Sequence, residues 1–189
     1  FVLSLNRITR MHKIKKIISK MLRFLGYEIQ RHSSVSLSLK EPFYHFRNLL
    51  NNSQPVIFDV GAYVGDTIKQ FNSSFPECYI HAFEPFHDSF SFLKNRFKKT
   101  DKIFLNNIAV GDRSLENIKM YVTQNKGSSS LLQPTIGANE FWEGNPLSTQ
   151  KEVKVETITI DKYCEQHNIE RIDILKIDVQ GNELKVLQG

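Results

Sequence analysis

After Pro55 the apolar and polar positions along the chain change period at short intervals. "VIFDV" at 56–60 is a run of β-formers, and from Asp66 the apolar residues Ile68, Phe71 and Phe75 recur at helical spacing until Pro76 stops them. "YIHAF" at 79–83 is extended again; Phe90, Leu93 and Phe97 then share one helical face before the run "IFLNNIAV" at 103–110. Strand, helix, strand, helix, strand predicts a parallel sheet with right-handed crossovers. Further on come a short strand at 117–122, a strand at 153–160 ("VKVETITI"), a helix near 161–168 and a strand at 172–177 ("IDILKI") that leads into "DVQGNELKVLQG". Residues 123–152 show little periodicity, the mark of a functional lid or an insert.

Upstream of Pro55 the pattern is helical only. "EPFYHFRNLLN" reads as a helix with Pro42 in its first turn, and the serine-rich text at 33–38 as a linker. Ile14, Ile17, Ile18, Met21, Leu22 and Leu25 form an apolar stripe, closed by Gly26. The chain thus divides into a basic extension at 1–32, a linker and helix at 33–54, and a domain from 55 to 189.

Charge follows the same division. Residues 1–32 carry eight Lys and Arg against Glu28 alone, a net of +7, whereas the rest carries a net of −2. The basic balance therefore belongs to the extension, and a nucleic-acid partner for the domain is not expected. The stripe at 11–25 has two readings: weak contact with an anionic membrane surface, or packing on the domain with its lysines in water. Its shortness and lack of Trp favour the second.

The remaining composition, 40% hydrophobic and 24% charged, is that of a soluble globular protein. The apolar runs are too short to cross a bilayer. Cys78 and Cys164 lie 86 residues apart with no CxxC, and the six histidines show no metal-helix spacing. A reducing cytoplasm is the expected compartment. Phe1 opens the sequence, Met11 offers a second start, and no signal-peptide pattern precedes the domain.

The chemistry concentrates at "VIFDVGAYVGD", 56–66. A phosphate loop of the GxxxxGK[ST] type needs a lysine that is missing here. A dinucleotide fingerprint needs a second glycine where Tyr63 stands between Gly61 and Gly65. Asp59, at the carboxyl end of the first strand, would repel a pyrophosphate and favour a cation. Glu84, 19 residues beyond Gly65 and at the end of the second strand, stands where an acid binds ribose hydroxyls. S-Adenosylmethionine, with a sulfonium, an ammonium, a ribose and no phosphate, suits both acids. An NAD-type oxidoreductase on the same sheet and a non-catalytic, membrane-associated remnant are the competing readings.

Four stretches, "VIFDVGAYVGD", "HAFEPFHDSFSFLKNRF", "NNIAVGD" and "ITIDKYCEQHNIERIDILKIDVQGNELKVLQG", together resemble the FkbM-type S-adenosylmethionine-dependent methyltransferases. The last is the most specific, "GSSSLL" in the long loop fits as well, and Tyr63 and Gln180 depart from the family's usual residues. The resemblance implies a class I methyltransferase fold, an open, mostly parallel Rossmann-like sheet with helices on both faces. It also implies O-methylation of a hydroxyl on a sugar, glycan or other natural product, a small-molecule or glycan acceptor. Carried over, Asp59, Gly61, Tyr63 and Gly65 would hold the methionine part, Glu84 the ribose, and Asn107 to Ala109 the adenine. Asp178 would face the transfer site as general base, with Glu183 second; a helix N-cap or a cofactor contact is the other reading of Asp178. His81 reads as a core histidine, His87 as the start of a helix, and Trp142 as an anchor for the loop or a platform for a sugar. Such folds continue for about three strands beyond "KIDVQG", so the sequence is expected to stop after the fourth core strand, leaving 172–177 as an apolar edge.

Overall fold

The computed structural model describes residues 42–50, 52–135 and 145–189. The basic helix at 11–25, the linker at 33–38 and Trp142 lie outside them. Helix α1 spans Pro42–Leu49, and then strand β1 (Val56–Val60), helix α2 (Asp66–Ser74), strand β2 (Tyr79–Phe83), helix α3 (His87–Arg96) and strand β3 (Ile103–Asn106) follow in the expected alternation. Strands β4 (Ala109–Val110), β5 (Leu115–Thr123) and β6 (Thr149–Ile158) come next, then α4 (Ile160–His167), β7 (Ile174–Ile177) and α5 (Glu183–Leu187).

Four strands form a parallel sheet in the order β3-β2-β1-β7. Successive side chains point to opposite faces, so β1 feeds two cores. Ile57 joins Ile68, Phe71, Ile80, Leu93 and Ile174 under α2 and α3, with Phe43 and Phe46 of α1 at the margin. Phe58 and Val60 join Phe83, Ile158, Tyr163 and Val186 on the other face, where α4 and α5 pack. Helices therefore cover both faces of a mostly parallel α/β sheet, as the alternation predicted. Among the described residues β7 pairs on one side only, with β1.

The run 103–110 was expected to be one strand, and it is two. β3 pairs with β2, but after Asn106 the chain leaves that sheet, and β4 pairs with β6 in a second sheet of order β4-β6-β5. The two asparagines at the break explain it. Asn106 Nδ2 donates to the Ala82 carbonyl, and Asn107 Nδ2 donates to the carbonyls of Glu84 (2.9 Å) and Pro85 (3.0 Å), so their amides bracket the neighbouring turn. The segment expected to be a loop is also more ordered at its ends. β5 and β6 form an antiparallel pair, and a 3₁₀ turn at Lys126–Ser128 leads into an isolated bridge between Tyr121 and Ser130.

Candidate functional site

The carboxyl ends of β1, β2 and β7 open into one cleft, the place where parallel α/β sheets bind ligands. Its wall includes Gly61 and Tyr63 after β1, Glu84 after β2, Ala109 of β4, and Asp178 and Asn182 after β7. The segment 126–131 closes the remaining side.

The turn after β1 is bent by positive backbone angles, φ +80° at Gly61, +48° at Tyr63 and +82° at Gly65. Gly61 and Ala62 both donate their N–H to the Phe83 carbonyl at 3.0 Å, which ties this turn to the end of β2. Gly61 also abuts the Asp178 carbonyl so closely that no Cβ would fit. Tyr63 is a sterically unusual residue for the left-handed region, and its ring lies against Gly127. Gly65 is absent from the cleft wall: it caps α2, and a side chain there would strike Phe97 and Leu93. A glycine here lets α2 start close against α3.

Glu84 is 6% exposed and reaches the cleft with a fixed carboxylate. Oε2 accepts from the Tyr63 N–H and Oε1 from the Phe86 N–H, each at 2.9 Å. Burial pushes this carboxyl up from its ordinary range, and the two amide hydrogen bonds oppose that shift. Each oxygen keeps a further lone pair for a hydroxyl. Ala109 lies on the wall beside Ile108, while Asn107 does not; its side chain braces the Glu84–Pro85 turn from behind.

Asp59 sits differently from the sequence expectation. It is fully buried, is not part of the cleft wall, and lies 2.9 Å through Oδ1 from Lys176 Nζ, with Oδ2 unpartnered. The two residues face each other in register across β1 and β7. Burial raises the Asp59 carboxyl, and the Lys176 ammonium works against that rise. Lys176 also donates to the Gly61 carbonyl at 2.8 Å and does reach the cleft. A counter-ion this close matches the Asp59 charge internally, so Asp59 repels a pyrophosphate less than an unpaired carboxylate would. Tyr63 at the second-glycine position remains as the obstacle to a dinucleotide.

Of the two candidate bases, Asp178 is exposed on the cleft wall, with Oδ1 accepting from Gln180 Nε2 at 2.7 Å. It does not cap a helix; Asn182 holds the N-cap position of α5. Glu183 is off the wall, and its Oε1 accepts from the backbone N–H of Val179 (3.2 Å) and Gly181 (3.1 Å). The amides of Glu183 itself and of Gly181 lead in holding this carboxyl below the ordinary range. A carboxylate stabilised in its charged form on the turn is a poor proton acceptor, so Glu183 shapes the turn and Asp178 is left as the base candidate.

Lys176 and Asn182, both on the wall, were not singled out from the sequence. Lys176 had a signal: "IFDV" and "ILKI" each carry one charge inside an apolar strand, of opposite sign. Asn182 is 3% exposed with its Oδ1 unpartnered, a fact only three-dimensional packing reveals. Among the described residues no cluster of His, Cys, Asp or Glu could hold a metal ion, and no helix is long and apolar enough to cross a membrane.

A mostly parallel α/β sheet with helices on both faces and a cleft at its strand ends defines a Rossmann-like domain. The methyltransferase FkbM domain family matches residues 59–189, and the chain belongs to that family. It is 27% identical over 150 residues to the 2-O-methyltransferase NoeI of Sinorhizobium fredii (strain NBRC 101917 / NGR234), a match covering 75% of this chain. The chain spans about 60% of the length of that curated relative. Among solved structures, a candidate caffeoyl-CoA O-methyltransferase from Staphylococcus aureus shares 13% identity, with 55% of this chain and 49% of that one covered and a TM-score of 0.29.

Proposed function

We propose that the protein is an S-adenosylmethionine-dependent O-methyltransferase acting on a hydroxyl of a sugar, glycan or natural product. The observation that carries this reading is Glu84, a buried carboxylate fixed by two backbone amides at the end of β2 and open to the cleft. An adenosine ribose presents two adjacent hydroxyls that such a carboxylate accepts. Ile108, Ala109 and Met120 offer apolar surface on the same wall, suited to an adenine ring. Family membership and the printed function of the curated relative support methyl transfer to oxygen.

When bound, the cofactor supplies a methyl group on a sulfonium, open to in-line displacement. The chain's own work is then placement and proton removal. Glu84 and the 61–65 turn orient the nucleoside, while the 126–131 segment screens one side of the cleft from water. Asp178 takes the proton of the acceptor hydroxyl, whose own pKa lies far above neutrality. The relative's name, a 2-O-methyltransferase, supports oxygen as the acceptor atom, and the sugar, glycan or natural-product class follows the family resemblance.

Isothermal titration with S-adenosylhomocysteine and NADH tests the cofactor. Heat with the first and none with the second is expected; heat with NADH alone would overturn the reading in favour of an oxidoreductase. For the base, Asp178→Asn is expected to lower turnover about 10²–10⁴-fold, the usual worth of a general base, and to leave S-adenosylhomocysteine affinity nearly unchanged. Undiminished turnover in that variant would remove Asp178 from the chemistry.

A further inference from the structure

A second cavity lies at the amino ends of the strands, opposite the cleft. Val56 and Tyr79, the first residues of β1 and β2, line it together with Phe104 of β3, His167 at the end of α4, and Ile169 just beyond. Its volume is about 470 Å³, within the ~300–1,000 Å³ of small-molecule sites. The walls are mainly rings and aliphatic side chains. Phe104, on a strand that pairs on one side only among the described residues, is 42% exposed there.

One buried polar side chain faces this cavity. His81 is 7% exposed, and its ring lies flat on Phe104 with centroids 4.7 Å apart. The surrounding hydrogen bonds assign its proton. Asn106 Nδ2 donates to the carbonyls of Ala82 and Phe104, each at 3.2 Å, so Asn106 Oδ1 is the acceptor for the Tyr163 hydroxyl at 3.3 Å. That hydroxyl has one proton to give, so at 2.9 Å it accepts from His81 Nδ1. Nε2 then holds a lone pair and has no hydrogen-bond partner among the described residues. The unpartnered polar atoms that are sealed from any surface there belong to Asp59 and Asn182, so Nε2 is open, and the cavity is the surface it meets. A buried acceptor left unpaired costs free energy that a donor recovers.

The rim offers no net charge to an ion. Arg171 pairs with Asp173 at 2.9 Å, and Glu170 beside it carries the opposite sign. We infer that this cavity binds a small, neutral, flat aromatic molecule, with its ring against Phe104 and His167 and one N–H or O–H donated to His81 Nε2. Aromatic walls supply the affinity, and the lone acceptor selects ligands that carry a donor. The inference stands apart from the cofactor reading, since the two sites lie at opposite ends of the sheet.

The test uses two probes of one shape: indole carries an N–H, and benzofuran has none. Carbon–proton NMR of the full chain, labelled at histidine, follows the His81 ring as each is added. Indole is expected to shift the His81 signals saturably and to bind at least about threefold more tightly than benzofuran, the scale of one neutral hydrogen bond. His81→Phe keeps a ring on Phe104 but removes the acceptor, and should bring that ratio to about one, read at His167. Phe104→Ala, at the exposed edge, should weaken both probes alike. If His81→Phe does not fold, the ratio in the parent chain decides alone. Equal binding of the two probes to the parent, no shift of His81 up to the solubility of indole, or displacement of indole by saturating S-adenosylhomocysteine overturns the site.

Discussion

Gly61 combines two demands that no other residue meets. Its φ of +80° costs an L-residue about 1–2 kcal/mol. Its contact with the Asp178 carbonyl leaves no room for a methyl group, so the tips of β1 and β7 must part if one is added. Gly61→Ala is therefore expected to destabilise the fold by about 3 kcal/mol or more in urea denaturation and to abolish S-adenosylhomocysteine binding. Gly65→Ala meets the aromatic ring of Phe97 instead, away from the cleft, and should cost stability with a smaller loss of affinity per unit of destabilisation. These glycines looked alike in the sequence, where both belonged to one binding motif. Only the neighbours each one touches, 28 or more residues away in the chain, separate the turn that faces the cleft from the turn that packs on α3.

Between elements, hydrogen bonds join parts of the cleft that the chain order keeps distant. Ser130 Oγ donates toward the carbonyls of Gln180 (2.9 Å) and Val179 (3.3 Å) and accepts from the Leu132 N–H. It thereby fastens the segment after β5 to the turn after β7. Ser130→Ala should cost about 1 kcal/mol and raise amide hydrogen exchange in 126–132 and 178–182 together, whereas a local role would affect the first segment alone. The sequence showed "GSSSLL" as fitting but could not say which serine reached across. At the other end of the strands, β2 meets α4 through His81, whose Nδ1 lies 2.9 Å from the Tyr163 hydroxyl and whose ring stacks on Phe104. Burial first, and then the nearby His167, hold His81 down at about 4 against an ordinary 6.5. A base whose folded value is depressed adds stability above pH ~6.5, and that contribution fades as the pH falls toward 4. The full loss is about 3 kcal/mol, so His81→Gln should flatten the fall in urea stability between pH 7 and pH 4, even if the variant starts lower.

Over the whole molecule, the first three strands of the parallel sheet were legible because their crossovers are local: an apolar run followed by a helical face occurs twice between 56 and 97, before a third apolar run. The second sheet was hidden because it joins β4, β5 and β6, whose pairing spans up to 48 residues and leaves no periodic trace. The site followed the same rule. Gly61, Tyr63, Glu84, Ala109 and Asp178 reached the cleft because strand ends can be read from sequence; Asp59, Gly65, Asn107 and Glu183 did not, because inside and outside at a strand end depend on partners elsewhere. Lys176 and Asp59 are the clearest instance. Lys176→Met alone should cost about 3–5 kcal/mol by stranding a buried carboxylate, and adding Asp59→Leu should recover most of it, measured by urea denaturation of both variants.

That ion pair also acts while the sheet is being assembled. Phe58, Asp59 and Val60 face Leu175, Lys176 and Ile177 one to one, and the flanking residues of both strands are interchangeable apolar side chains. Sliding β7 by one residue would keep every backbone ladder possible, yet it would set Leu175 or Ile177 opposite Asp59 and turn Lys176 into the opposite core. The charge would then be buried without a counter-ion, at a cost of several kcal/mol. One lysine in an otherwise uniform strand thus works as a key with a single slot, selecting the alignment in which the tips of β1 and β7 come out level.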